Sequence, residues 1–476
     1  MDSYSDAGIP ELPEEAEILP HLSVAEPEEL AEAARRDRLL AVGLDALQGG
    51  IEFVSSGGTA SGSNVSSGGQ SIIGPGGTAV GTTMSLSVQT IGSGGSASGT
   101  TLKTFGILYV SSGGTVSGTV ISGSGSGYVS GTAIGTTLAG GWQVISSGGS
   151  ASGTTVLQGG YEFVSSGGTA SGSVISGSGS GYVLGTAIAT TLLGGWQVIS
   201  SGGVASNTTV MSGGYEFISS GGTASGTTVS SAGQAIVGPG GRIVGATMMD
   251  QATLTVGADA VASGSILHTL GVMHVSAGGT VSGSVVSASA SGFISGMALA
   301  TDLKGGWQVV SSGGVASNTV VSDGGVEYVD VGGVDTGTTV SEGGRIIVAS
   351  GGLSVSATMQ YAGGQLILGG GVASAATLSG GAQVVYANGL ASGTAIYSLG
   401  YQYVSGGTAS TTTLYQYGEE YVFAGGAAVG TVVSSAGIQY VSSGGTASGT
   451  VISASGTELV YLGGTASATE VKSNGL

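Results

Sequence analysis

The most regular signal along the chain is a short alternation of apolar and polar positions that restarts about every nineteen residues. Each unit reads x-(E/Q)-x-(V/I)-S-S-G-G-T-A-S-G-T-x-V-x-x-G-G, as from Tyr161 (Tyr-Glu-Phe-Val-Ser-Ser-Gly-Gly-Thr-Ala-Ser-Gly) and again from Tyr215. Short β-prone pieces, such as 51–54 and 59–65, are separated by Ser-Gly-Gly turns that reach positive φ without steric cost. A single unit buries almost nothing. Stacked in parallel, the units align Val54, Ile73, Ile91, Val110, Ile145 and Val164 into apolar columns and satisfy one another's backbone groups. The pattern predicts an all-β fold: a parallel β-solenoid of about 23 rungs, roughly 110 Å long at about 4.8 Å per rung.

Within the four residues that open each rung, alternation sets positions one and three on one side and two and four on the other. Position two is polar (Glu52, Gln143, Glu162, Gln197), whereas position four is Val or Ile. The mismatch suggests a bend or bulge beside position four. Position three carries Phe53, Tyr109, Phe163, Phe217, Tyr328, Tyr403, Tyr421 and Tyr440. Stacked, they would form an aromatic ladder. Packing inside is the expectation, and an exposed adhesive stripe the alternative.

Longer repeats divide the array. Trp142 and Trp196 each open Trp-Gln-Val-Ile-Ser-Ser-Gly-Gly, and Trp307 opens a third copy. Five three-rung modules (51–106, 107–160, 161–214, 215–271 and 272–325) precede eight single rungs over 326–476. The first and fourth modules each carry Gly-Pro-Gly-Gly, at Pro75 and Pro239.

Composition agrees with a repeat. Glycine is 99 of 476 residues, charged residues are 7%, and cysteine is absent. A hydrophobic fraction of 40% argues against disorder, which goes with low hydrophobicity and high charge. The formal charge of −19 includes −9 from residues 1–48. With no basic patch, nucleic acid is not an expected partner, and no apolar run is long enough for membrane insertion.

The acidic segment 1–50 differs in kind. Pro27 with Glu28 and Glu29 fits a helix start, and Gly49-Gly50 fits its stop, so a helix is expected over 27–47. Leu30, Leu40, Leu44 and Leu47 give it an apolar side, either as a cap on the first rung or as a docking element for a partner. At the other end, 457–475 reads as an ordinary rung. Leu459, Tyr461 and Val471 there join the four leucines as candidates for self-association.

No catalytic, metal-ligating or cofactor-binding constellation is evident. His268 and His274 fall in neighbouring rungs and read as surface or packing residues. Gly-Ser-Gly-Ser-Gly-Tyr at 123–128 and 177–182 lacks the following Lys-Ser/Thr of a phosphate loop and reads as a solenoid turn. Asp323, Asp330, Asp335 and Glu342, in consecutive rungs, read as a solvated face. The rungs have no long insertion to wall a cleft, so no enzyme is expected.

The run Tyr440-Val-Ser-Ser-Gly-Gly-Thr-Ala-Ser-Gly-Thr450-Val451 resembles the repeat of self-associating autotransporter adhesins, the diffuse-adherence type of passenger domain, and the resemblance extends over about 51–475. It implies a right-handed parallel β-helix and a role in cell aggregation, adhesion or biofilm, in some members after glycosylation of Ser/Thr.

The amino-terminal twenty residues lack the basic-then-apolar pattern of a secretory signal, and no run of membrane strands follows the repeats. The leading expectation is accordingly a cytoplasmic, cytoskeleton-like scaffold whose copies polymerise head to tail, with itself as partner. The alternative is an exported adhesin or matrix protein at the cell surface.

Overall fold

The computed structural model describes residues 40–42 and 44–475. Each full rung contributes three short strands, as in Ile51–Val54, Thr59–Ser61 and Asn64–Ser66. These strands belong to three sheets that run the length of the array. Every strand pairs in parallel with its equivalents one rung before and after: Val54 lies beside Ile73, Ala60 beside Ala79 and Val65 beside Met84. The sheet of four-residue strands, here called the first sheet, runs from Ile51–Val54 to Thr457–Val460, one strand for each of the 23 expected rungs.

Two turns per ordinary rung use the Gly-Gly doublet. The Gly58 N–H donates to the Ser55 carbonyl at 2.9 Å, and the central residues Ser56 and Gly57 have φ of 48° and 81°. Both central φ values are positive, as in a type I′ turn, which suits glycine at the second of them. The two glycines of a doublet do different work. Gly221 has φ of +75°, whereas a Cβ on Gly222 would stand 2.3 Å from the Ile199 carbonyl oxygen of the rung below.

The interior is narrow. Every ordinary rung points in position four of its first strand, the middle of its second and the second residue of its third, as with Val164, Ala170 and Ile175. Alanine in the middle strand sets the width. Gly-Ser-Gly-Ser-Gly-Tyr is only half turn: Ser126–Val129 is a first-sheet strand with Gly127 at position two. A Cβ there would meet Ile121 Cδ1 at 2.9 Å, so glycine makes room for isoleucine in this shorter rung.

The helix expected over 27–47 lies outside the described residues up to 39, and the described residues that follow form two short strands, Leu40–Val42 and Asp45–Ala46. Leu40–Val42 pairs with Thr59–Ser61, and Asp45–Ala46 with Asn64–Val65. Gly49-Gly50 is a rung turn and not a helix stop, closed by a Gly50 N–H to Leu47 carbonyl bond of 3.2 Å. Residues 40–50 occupy the slots that 59–69 fill one rung later. Interstrand hydrogen bonds to that rung outweigh the helix preference of Leu and Ala.

Candidate functional site: an outward aromatic face over a buried polar row

The first strand has no bend. Its burial alternates regularly, with positions two and four inside. The polar residue at position two is therefore a core residue, and the bulge expected beside position four is absent. The reason is a partner eleven residues on. The Ser63 hydroxyl donates to Glu52 at 2.6 Å, Thr227 to Glu216 at 2.7 Å and Thr431 to Glu420 at 3.0 Å. In these rungs the Thr or Ser of the turn before the third strand gives the buried position-two side chain a donor of its own rung, whereas Thr154, Ser173 and Thr208 make no such bond to Gln143, Glu162 and Gln197.

Along the axis these groups also join rung to rung. Gln402 Nε2 donates to Gln383 Oε1 at 2.6 Å, and Gln383 Nε2 to Gln365 Oε1 at 2.6 Å. Gln365 Nε2 reaches Ser354 at 2.9 Å, and Ser354 donates to Asp335 at 2.7 Å. Thr338 links Asp335 to Glu327, which accepts from Gln308 Nε2 at 3.0 Å. A continuous polar row thus runs inside the solenoid from Gln308 to Gln402. Over its later part it separates two apolar clusters, Ile367 with Val385 and Val404 in one, Leu378 with Ile396 and Leu414 in the other.

The buried carboxyl groups, in this row and at position two elsewhere, make no salt bridge. Burial pushes Glu162 and Glu216 above the usual carboxylate range, and takes Glu420 to about 7. Asp335 was expected on a solvated face with Asp323, Asp330 and Glu342. Those three are exposed, whereas Asp335 lies inside, in register with Ala316.

Because positions two and four point in, position three points out. The position-three aromatics do not pack inside: none is buried, and Tyr109 is 40% exposed. On the outer face of the first sheet, Tyr403, Tyr421 and Tyr440 stack along the axis, whereas Phe53, Phe217 and Tyr328 stand beside aliphatic residues. Tyr403 and Tyr421 have ring centroids 5.3 Å apart, and Tyr421 and Tyr440 4.6 Å apart with planes 8° from parallel. Tyr461 extends this column, and Phe423 lies against Tyr403 and Tyr421. The Tyr421 phenol is pushed up, first by burial among its neighbours and then by donating its proton to Glu419.

A second arrangement recurs three times. Tyr128, Tyr182 and Phe293 each meet a tryptophan of the next rung edge-on, Trp142, Trp196 and Trp307, at 5.1 Å. Behind them stand Tyr109, Phe163 and His274. His274 is thus a stacking residue, and His268 is exposed. Among the described residues no group of three or more His, Cys, Asp or Glu could hold a metal ion.

The self-association candidates do not form one patch. Leu30 lies outside the described residues, and Leu40 sits in the first strand of the partial rung. Leu44 and Leu47 are exposed at that end. Leu459, Tyr461 and Val471 are exposed in the last described rung, 23 first-sheet strands away. Sequence reasoning missed Val460 and Leu462 there; Val460 is 46% exposed where its equivalent Val441 is fully buried.

Residues 414–475 match the family model described as adhesin of bacterial autotransporter system, probable stalk. No curated protein matches the chain. Among solved structures, a TibC-catalysed hyper-glycosylated TibA fragment is 29% identical, covering 70% of this chain and 96% of that one, with a TM-score of 0.34. A PL6-family alginate lyase, AlyGC, is 8% identical, covering 94% of this chain and 99% of that one, with a TM-score of 0.17. At these TM-scores neither structure supports a functional assignment.

Proposed function

We propose that this chain is the non-enzymatic shaft of a bacterial surface adhesin, and that copies associate side to side through the aromatic outer face of the first sheet. The match of residues 414–475 to an adhesin stalk carries the reading. That segment contains Tyr421, Phe423, Tyr440 and Tyr461 of the stacked column. The column is apolar, half-exposed and ordered before any partner arrives, so little side-chain entropy is lost on contact. Its phenols are uncharged at neutral pH, as an ordinary tyrosine is, and burial raises Tyr403, Tyr421 and Tyr440 further. Glu419, which accepts from Tyr421, is the acidic group beside the column that a second copy must avoid or pair.

The same match favours the cell exterior over the cytoplasm that the amino terminus suggests, and adhesion over a cytoskeletal scaffold. The test is cell settling with the chain displayed on a non-aggregating bacterium. Wild type is expected to clump; the triple variant Tyr403→Ser, Tyr421→Ser, Tyr440→Ser is expected to display equally and stay dispersed. Equal clumping by both would refute the aromatic face as the contact.

A further inference from the structure

We propose that Glu327 and Asp335 hold one proton between them, and that its loss opens the solenoid locally at residues 326–355, a proton-operated weak point in the shaft. The device is independent of whether the outer face is adhesive.

Counting protons carries the argument. Thr338 Oγ1 is within hydrogen-bond reach of both Glu327 Oε2, at 3.1 Å, and Asp335 Oδ1. A hydroxyl has one proton to give. It satisfies one carboxylate; the other must bring a proton of its own and donate to the Thr338 oxygen. The remaining oxygens are already supplied. Glu327 Oε1 accepts from Gln308 at 3.0 Å and Thr319 at 3.3 Å, and Asp335 Oδ2 from Ser354 at 2.7 Å. Ser354 is free to donate because it accepts from Gln365 at 2.9 Å. The Thr336 backbone adds a donor to Asp335, and the contact of both carboxyls with the one Thr338 hydroxyl still requires one added proton.

No positive charge is available inside. The first-sheet strands on either side bring Gln308 and Ile346 inward, and the second-sheet strands bring Ala316 and Ser354. From the third sheet come Val321 and Val340, both fully buried. The charged residues of these rungs, Asp323, Asp330, Glu342 and Arg345, are all exposed.

Two buried carboxylates without a counter-ion repel each other and lack solvation, so one of them stays protonated. Accordingly, burial holds Asp335 at about 6, and burial together with Asp335 lifts Glu327 well above its ordinary value. Both folded values lie above the unfolded ones. The stabilisation is therefore complete in acid, starts to fall as Asp335 ionises at about 6, and is lost as the remaining proton leaves Glu327 at higher pH.

The full chain tests this by hydrogen exchange with mass spectrometry between pH 5 and pH 8, corrected for intrinsic rates. Rungs 234–271 are the internal reference, since Ala235 and Leu254 replace the carboxyl at position two. Protection of 326–355 is expected to fall at least tenfold relative to that reference. Asp335→Ala, which installs the residue standing at 316, and Glu327→Gln, which copies 308, are each expected to abolish the fall. Two variants guard against one misfolding. Protection that tracks the reference at every pH in the native chain overturns the proposal, as does a fall that persists in both variants.

Discussion

Position two of the first strand is where a single residue type sets local stability. Glutamine and glutamate occupy the same slot in adjacent rungs, as Gln402, Glu420 and Gln439 do, and both accept from the turn threonine. They differ in what pH does to them. Glu420 has a folded value of about 7 against an ordinary 4.5, so its contribution is full in acid and fades as pH rises through about 7. Glu420→Gln is therefore expected to stabilise its rung at pH 8, by on the order of 3 kcal/mol, and to flatten the pH dependence. Thermal unfolding of both proteins at pH 5 and pH 8 reads this directly. The hydroxyl side is equally specific. Thr227→Val strips Glu216 of its donor and should cost about 1–3 kcal/mol. Ser265→Ala should cost nothing, because the Ser265 hydroxyl has no partner and Leu254 stands eleven residues before it. Where position two is Ala235 or Ile346, the turn residue is itself alanine, Ala246 or Ala357. The two positions act together in these rungs, although Leu108, Leu254 and Met273 leave Thr119, Ser265 and Ser284 without a partner.

Among the elements, the Gly-Gly turn determines how closely rungs stack. The first glycine is needed for its φ and the second for its missing Cβ, and the two requirements differ in cost. Gly221→Ala puts a side chain at φ +75° with only the neighbouring turn to adjust, and a loss of about 1–2 kcal/mol is expected. Gly222→Ala drives a Cβ to 2.3 Å from a backbone oxygen, which cannot swing away as a side chain can. It should be clearly the worse of the two, by urea unfolding of the pair. The strands themselves were legible in advance because turn glycines and valines recur at fixed spacing. The partial rung at 40–50 was not. Leucine and alanine dominate it, and only its register with 59–69 shows that it continues the sheets.

At the scale of the whole molecule, identical ladders in all three sheets make a shaft whose rungs contact only their neighbours. About 23 rungs at roughly 4.8 Å give a rod near 110 Å. Small-angle scattering of a dispersed sample should return that length, and a compact particle would contradict the stacking. Such a rod offers long faces, which suit contact between copies. The faces are not equivalent. The first sheet carries the stacked tyrosines outside and the position-two residues of the polar row inside, so the strands that present the adhesive candidate also hold buried carboxyls such as Glu420.

The sequence by itself determined the solenoid, the rung length and the number of rungs, because a repeat that buries nothing alone has one economical way to bury its valines. It also contained the alternation that places position two inside. A polar residue there looked inconsistent only because its partner lies eleven residues away, across two turns. The tertiary structure decided that pairing, and with it the outward aromatic column, the internal row from Gln308 to Gln402 and the burial of Asp335. Each depends on which side chains meet across the axis and between rungs, and distance along the chain does not reveal that.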